Sequence, residues 1–446
     1  MADKGMTLAV VLLVAGLIVG GGVGYFAAPT KTVTQSTTVT QTVKELPLKN
    51  VAVKVGFIDS DTVDLETKKP YHEIMIQREM NAYAKALGYS DKMFTFLVDD
   101  ATGQANVHLE KVQGYKSAGI TVFEGGGWSS QAQAALSYVN ANGMLMWSWS
   151  STSPTLAIAN DNLFRMCTAD SHLSPALADA MWAAGVKSIV IFQRADSWGD
   201  GIINLLLPAW EALGGKVEGE KIRYAGESTE FANYLTVADQ QVKNAVAKYN
   251  GETQRVGVVI LAFNECAVIF KQAASYPNIY NVHWWGSDGT AKSQRAMDDS
   301  PNEANHIGVY SLYSRETITP LYLALEKEYV SLTKQQYSTY SAYSYDIWQV
   351  VMSTMFKIQS TSGQALVPFQ KPTADMYFGA AGWSKLDEFG DRAAPPYDVW
   401  AFVSGDTPGS PMPGKPSVSM ICAQYDPDFR KTTFIASILG YTPIGP

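Results

Sequence analysis

The sequence is poor in the residues from which metal and redox centres are built. Of its 446 residues only three are cysteine and five are histidine. Cys167, Cys266 and Cys422 stand far apart and no C-x-x-C is present. His72, His108, His172, His283 and His306 share no ligand spacing, so metal and dithiol chemistry have no motif to rest on. A Cys167–Cys266 disulfide in an oxidising compartment and three buried free thiols both fit this count. Positive charge is scarce too: 34 Lys and Arg stand against 42 Asp and Glu, a net charge of −8, with no basic cluster to override the total. A nucleic-acid partner, which needs a basic patch or stripe, is thereby excluded. There is no GxxxxGK[ST] nucleotide loop, no HExxH and no GxSxG, which removes the motifs of phosphate cradles, zinc hydrolases and nucleophile elbows. The acidic pairs Asp99-Asp100 and Asp298-Asp299 fall beside expected element ends and read as solvated turns. The chain reads as no enzyme, and it implies no cofactor.

Long apolar runs are also few, and one stands out. Leu8 to Ala28 carries no charge; as a helix it extends roughly 30 Å, enough to span a bilayer. Large aromatics crowd the end of this run, which fits a secretory cleavage site poorly. Residues 1–28 are therefore expected to be an N-terminal transmembrane anchor or a signal segment. The Thr-rich residues 29–50 are expected to be a stalk linker, because low complexity beside a membrane segment favours an extended chain. The folded body starts near Val51.

What is abundant is apolar and aromatic. The hydrophobic fraction is 46%, with 23 Tyr, 17 Phe and 11 Trp. A body of this length is expected to divide into two lobes. Strand-like runs alternate with helix-like ones: Val51–Ile58, then a helix over Tyr71–Leu87, a strand from Met93 to Val98, a helix over Ala105–Ser117 and a strand at Ile120–Phe123. The alternation continues to about Met355 and predicts an α/β fold with mainly parallel sheets covered on both faces. Gly125 to Pro154 reads as loop, helix, strand and loop. Ser129 and Ser130 follow three glycines and open a helix with a hydroxyl cap, which suits a carboxylate. Met144–Trp147 is a short apolar strand ending at Ser150-Ser151-Thr152, beyond the carboxyl end of a strand, where open α/β sheets bind ligands.

The order of elements and six phrases resemble the extracellular solute-binding proteins of ABC importers, of the branched-chain amino-acid-binding (Leu/Ile/Val) or periplasmic binding protein type I family. The phrases are GGGWSSQAQAA, NGMLMWSWSSTSPTL, NLFRMCTAD, AAGVKSIVIFQRADSWGDGI, WWGSDGT and GWSKLDEFGDRAAPPYDVWAFV, and the resemblance covers about Val51 to Val403. It implies two doubly wound lobes with a ligand cleft between them, preceded by a membrane helix. Lobe 1 is expected from residues 51–169 plus 289–383, lobe 2 from 170–288 plus 384–403, and a C-terminal extension from 404–446. The resemblance puts Ser129, Ser150 and Thr152 on the polar head of an amino acid. It puts Trp128 and Trp198 on the rest of the ligand, Phe263 or Asn264 on a further wall, and Asp288 on the ammonium.

The sequence also departs from the family pattern. The phrase Asp59–Asp64 replaces a Gly-rich loop and is expected to bring acids to the cleft. Trp147 and Trp149 stand where smaller residues are usual. Asp3-Lys4-Gly5-Met6 resembles the pilin-type signal of archaeal extracellular binding proteins. The implied function is capture of an amino acid or similar small polar solute at the cell surface and its delivery to an ABC permease, with the N-terminal helix in the membrane. A sensor, or a binding protein for an amide, urea or carboxylate, is the alternative.

Overall fold

The computed structural model describes residues 46–393, 396–439 and 443–445. The expected anchor over 1–28 and most of the linker over 29–50 lie outside them. Among the described residues no helix is long and apolar enough to cross a membrane.

Two sheets organise the body from Leu48 onward. The first is wholly parallel and contains β1 (Val53–Asp59), β2 (Phe94–Asp100), β3 (Val122–Glu124), β4 (Leu145–Ser148) and β5 (Leu163–Arg165), in the order β2-β1-β3-β4-β5. These strands are short and mostly buried, as expected of a parallel sheet covered by helices on both faces. The second sheet has a parallel part built from β6 (Ser188–Arg194), β7 (Lys216–Val217), β8 (Ile222–Tyr224), β9 (Val256–Leu261), β10 (His283–Gly286) and β11 (Tyr310–Ser314). A two-stranded hairpin, β12 (Phe378–Gly379) and β13 (Gly382–Trp383), stands apart. The strands β14 (Tyr397–Val403), β15 (Val418–Asp426) and β16 (Lys431–Phe434) extend the second sheet antiparallel from β11.

Two of the expected lobe boundaries are corrected by this pairing. Residues 289–314 belong to the second lobe, because β11 pairs with β10 on one side and β14 on the other. The return to the first lobe follows Ser314. The helices Pro320–Thr333, Thr339–Ile358 and Gly363–Ala374 then supply Tyr322, Trp348 and Leu366 to the first core. Residues 404–434 are not a separate extension either: β15 and β16 complete the second sheet, and Phe434 and Ile438 pack on its core.

The chain passes between the lobes at three adjacent points. Arg165 N–H donates to Gly390 O and Arg392 N–H to Arg165 O, while Arg315 N–H donates to Pro396 O. The fully buried Arg165 cements this seam. Its Nε donates to Asp391 Oδ1 at 2.6 Å and its Nη2 to Asp391 Oδ2, and its Nη1 donates to Ser151 O and Ser153 O at 2.8 Å each. Every carboxylate oxygen of Asp391 has a partner, which is the condition under which a buried ion pair is tolerable.

The first helix of the body starts nine residues before the expected Tyr71. The side chain of Asp61 accepts from Val63 N–H at 2.7 Å and caps a helix over Thr62–Pro70. That cap makes the end of the expected loop helical. The helix widens into a π-helical turn at Tyr71–Ile76 before resuming as Gln77–Ala86. Cys167, Cys266 and Cys422 are all buried free thiols.

Candidate functional site

A cavity of about 510 Å³ lies between the lobes. The first lobe supplies Lys68, Trp128, Trp149, Ser150 and Tyr340, and the second supplies Phe263, Asn264, Asp288, Lys292 and Arg295. Its size is in the range of small-molecule sites.

The loop after β3 sets the near wall. Gly126 has φ +62°, a conformation that glycine adopts without strain. At Gly127 a Cβ would collide with Ser60 Oγ and the Trp149 ring, so glycine is what lets those groups meet. His108 Nε2 accepts from Gly126 N–H at 2.7 Å, and burial pushes its imidazole down to about 3, which keeps it neutral and able to accept. Gln131 Nε2 donates to Ser60 O at 2.9 Å. The loop is thus pinned from both sides.

Of the seven residues singled out in the sequence, four line the cavity: Trp128, Ser150, Phe263 and Asp288. Ser150 Oγ donates to Gly127 O at 2.8 Å. Trp128 stacks on Phe263 across the lobes, with ring centroids 4.6 Å apart and planes 19° from parallel. The Arg194 guanidinium lies 5.0 Å from the Trp128 ring and 4.7 Å from that of Phe263. Asp288 Oδ2 accepts from Tyr340 O–H at 2.7 Å, a second link between the lobes, while Oδ1 has no partner.

The other three lie behind this wall. Ser129 begins its helix, but Trp128 is the capping position. The Ser129 hydroxyl instead accepts from Ser153 N–H at 3.1 Å, joining the loops after β3 and β4. Thr152 is buried beside Asp170, and its hydroxyl favours the charged form of that carboxyl. Trp198 is in the second-lobe core, stacked on the far side of Phe263 at 4.3 Å, rather than in the cavity wall. The two flanking tryptophans also separate. Trp147 faces away, stacking on Phe164 and donating its indole N–H to Gln370 Oε1, and Trp149 lines the cavity. Two residues apart in a regular strand they would share a face; they separate because β4 ends at Ser148 and Trp149 belongs to the loop beyond it. From the Asp59–Asp64 phrase, Asp64 reaches the cavity, whereas Asp59 is fully buried.

Sequence reasoning missed Asp170. It is fully buried at the start of the helix Asp170–Ala184, and neither of its carboxylate oxygens has a partner. Burial pushes its carboxyl well above the usual 3.8, and the charge of Asp288 pushes it further. Asp288 is raised as well, chiefly by burial. The two buried acids together carry three carboxylate oxygens without a hydrogen-bond partner. The signal was present: Asp170 ends the phrase NLFRMCTAD. Tyr340 was missed too, because nothing near it in sequence announces a partner 52 residues away. Among the described residues no group of His, Cys, Asp and Glu has metal-holding geometry.

Comparison with known proteins identifies the family and the fold. The sequence pattern of the receptor family ligand binding region matches residues 80–405. An uncharacterised protein of Methanocaldococcus jannaschii is 26% identical over 414 residues, covering 86% of this chain and 94% of its own. The crystal structure of a leucine binding protein, LivK, from Thermotoga maritima superposes with a TM-score of 0.67 at 16% identity, covering 85% of this chain and all of that one. A solute binding protein of an ABC transporter from Rhodopseudomonas palustris, in complex with 3,4-dihydroxybenzoic acid, superposes with a TM-score of 0.64 at 15% identity, covering 86% and 97%.

Proposed function

The chain belongs to the receptor family ligand binding region, with the periplasmic binding protein type I fold, and from that premise we propose that it captures a small amino-bearing solute, an amino acid or close relative, for an ABC importer. It is a binding protein and not an enzyme. The observation that carries the ligand class is the pair of buried acids, Asp170 and Asp288, with their unpaired oxygens. An ammonium group placed there satisfies those oxygens and removes the mutual repulsion of the acids. Charged hydrogen bonds of this kind contribute on the order of 1.5–3 kcal/mol each. The carboxylate is placed at the loop after β4, where the Ser150 hydroxyl would exchange its bond to Gly127 O for one to the ligand, with Ser129 holding that loop through Ser153. Trp128, Trp149 and Phe263 bury the apolar part. Trp198 acts from behind by holding Phe263 in place.

Closure accompanies capture. Tyr340 with Asp288 and Trp128 with Phe263 join opposite lobes, and the three crossings at Arg165, Arg315 and Arg392 are the hinge about which they part. The permease and the cell surface are the expected partners. The N-terminal apolar run would hold the protein there.

An aromatic carboxylate is the second reading, favoured by the three aromatic walls and by the dihydroxybenzoate-bound relative. The two readings separate in a thermal-shift panel of the twenty amino acids and benzoate on the full-length chain. A ligand that binds only the native state raises the melting temperature. Stabilisation by an amino acid that is lost in Asp288→Asn supports the first reading. Stabilisation by benzoate alone overturns it.

A further inference from the structure

Lys68 stands apart from the other cations of the cleft. It is 9% exposed, it lines the cavity, and its Nζ makes no hydrogen bond or ion pair with any described residue. Its one close contact is the Trp149 ring, 5.1 Å from Nζ to the centroid. Lys292, in the same wall, is neutralised by Glu316 at 2.7 Å, and Arg295 by Asp299 at 2.7 Å. A buried charge with no partner is costly, so Lys68 is either a defect or a group waiting for an anion.

The local chain favours the second. Lys68 lies in the last turn of the first helix, before Pro70 and the π-helical turn Tyr71–Ile76. Such turns are rare and concentrate at functional sites. A buried relay fixes the backbone here: His72 Nδ1 is 2.7 Å from Lys68 O, and His72 Nε2 is 3.0 Å from Glu124 Oε2. Glu124 in turn accepts from Ser344 Oγ and Trp348 Nε1 at 2.6 Å each. Asp59, at the end of β1, and Asp64, in the helix, are the nearest acids. Burial pushes both upward and the charge of Lys68 draws both back down, but neither comes within ion-pair distance of it.

We propose that Lys68 receives a second anionic group of the solute, so that the ligand is an amino acid with an acidic side chain. The inference rests on the reading of Asp170 and Asp288 as the ammonium site. With the α-carboxylate at the loop after β4, beside Ser150, the side-chain carboxylate is directed to Lys68 Nζ beside Trp149. Opposite charges then face each other at both ends of the cavity, acids on the ammonium and lysine on the distal carboxylate.

The test is titration calorimetry of the full-length chain with L-glutamate, L-aspartate, L-glutamine and L-leucine. Glutamate or aspartate is expected to bind tightest, and Lys68→Met to weaken it by about ten- to hundredfold, the equivalent of one charged hydrogen bond. Glutamine affinity should be nearly unchanged in that variant, and Lys68→Arg should restore most of the glutamate affinity. Equal loss of glutamate and glutamine in Lys68→Met overturns the proposal, as does binding of leucine in preference to both acids. Those results leave the ammonium site standing. Binding of none of the four overturns the amino-acid reading together with this one. A circular-dichroism melt of each variant separates failure to fold from failure to bind.

Discussion

Two pairs of buried charged groups, one begun by Arg165 and the other by Asp170 in the same stretch of chain, are opposite in design. Arg165 and Asp391 are buried, paired through two bonds, and further satisfied by Ser151 O and Ser153 O. Asp170 and Asp288 are buried, alike in sign, and three of their four oxygens have no partner. The first pair belongs to the scaffold: nothing remains for it to bind. The second leaves three oxygens free, and in the proposed reading these are where the ammonium of the solute binds. In this protein, hydrogen-bond satisfaction rather than burial or charge is what separates hinge from site.

The largest test of that contrast is Asp391→Ala. It leaves the Arg165 guanidinium buried without its counter-charge, and unfolding free energy should fall by about 3–5 kcal/mol in urea titrations. A loss below 1 kcal/mol would mean that the hinge pair is not the cement described above. Asp288→Asn should do the reverse. It removes an unpaired charge, so the ligand-free protein should be no less stable, while affinity for an amino-bearing ligand falls by roughly 1.5–3 kcal/mol in calorimetry. Loss of stability without loss of affinity would move Asp288 to the scaffold. Trp128→Ala removes the interlobe stack, worth about 0.5–1.5 kcal/mol beyond its buried area. The ligand-free protein should then show a larger radius of gyration in small-angle scattering, and an unchanged radius would place closure elsewhere.

The smallest effect is a slope. Asp170 and Asp288 are raised above their ordinary value in the folded protein. For acids raised by folding, the stabilising contribution is complete below the unfolded value, near about 3.9, and is lost as pH rises through the folded values. Other buried acids share the trend, among them Asp346, pushed up to about 6. The comparison is therefore between the wild type and the Asp170→Asn, Asp288→Asn double variant, whose stability should decline less steeply above that pH. Identical slopes would show that the pair does not titrate as the geometry requires.

The alternation of strand and helix was legible because β-branched runs and helical spacing are local properties. The strands from Val53 to Leu261 fall close to their expected places. Which sheet a strand joins is not local: β11 was assigned to the wrong lobe because its own five residues say nothing about β10 and β14. The helix from Thr62 was hidden by an acidic phrase that reads as a turn until Asp61 is seen to cap it. Around the cavity, the loops after β3 and β4 drew attention through their glycines and hydroxyls, and Asp288 through the family resemblance, and Ser150 and Asp288 do line it. Asp170 was passed over because an acid in a helix's first turn is commonplace. Lys68, in Lys-Lys-Pro at a helix end, reads as solvated charge. Both owe their meaning to burial by chain distant in sequence, which no local pattern carries.

The bond from Tyr340 to Asp288 has a consequence in time. It and the Trp128–Phe263 stack tie the two lobes together, and Asp170 is wholly shut off from solvent. A solute therefore reaches the acid pair only while the lobes are apart. Its observed association rate should climb with concentration and then level at the rate of opening, and beyond that point the hinge, not diffusion, sets the pace of capture.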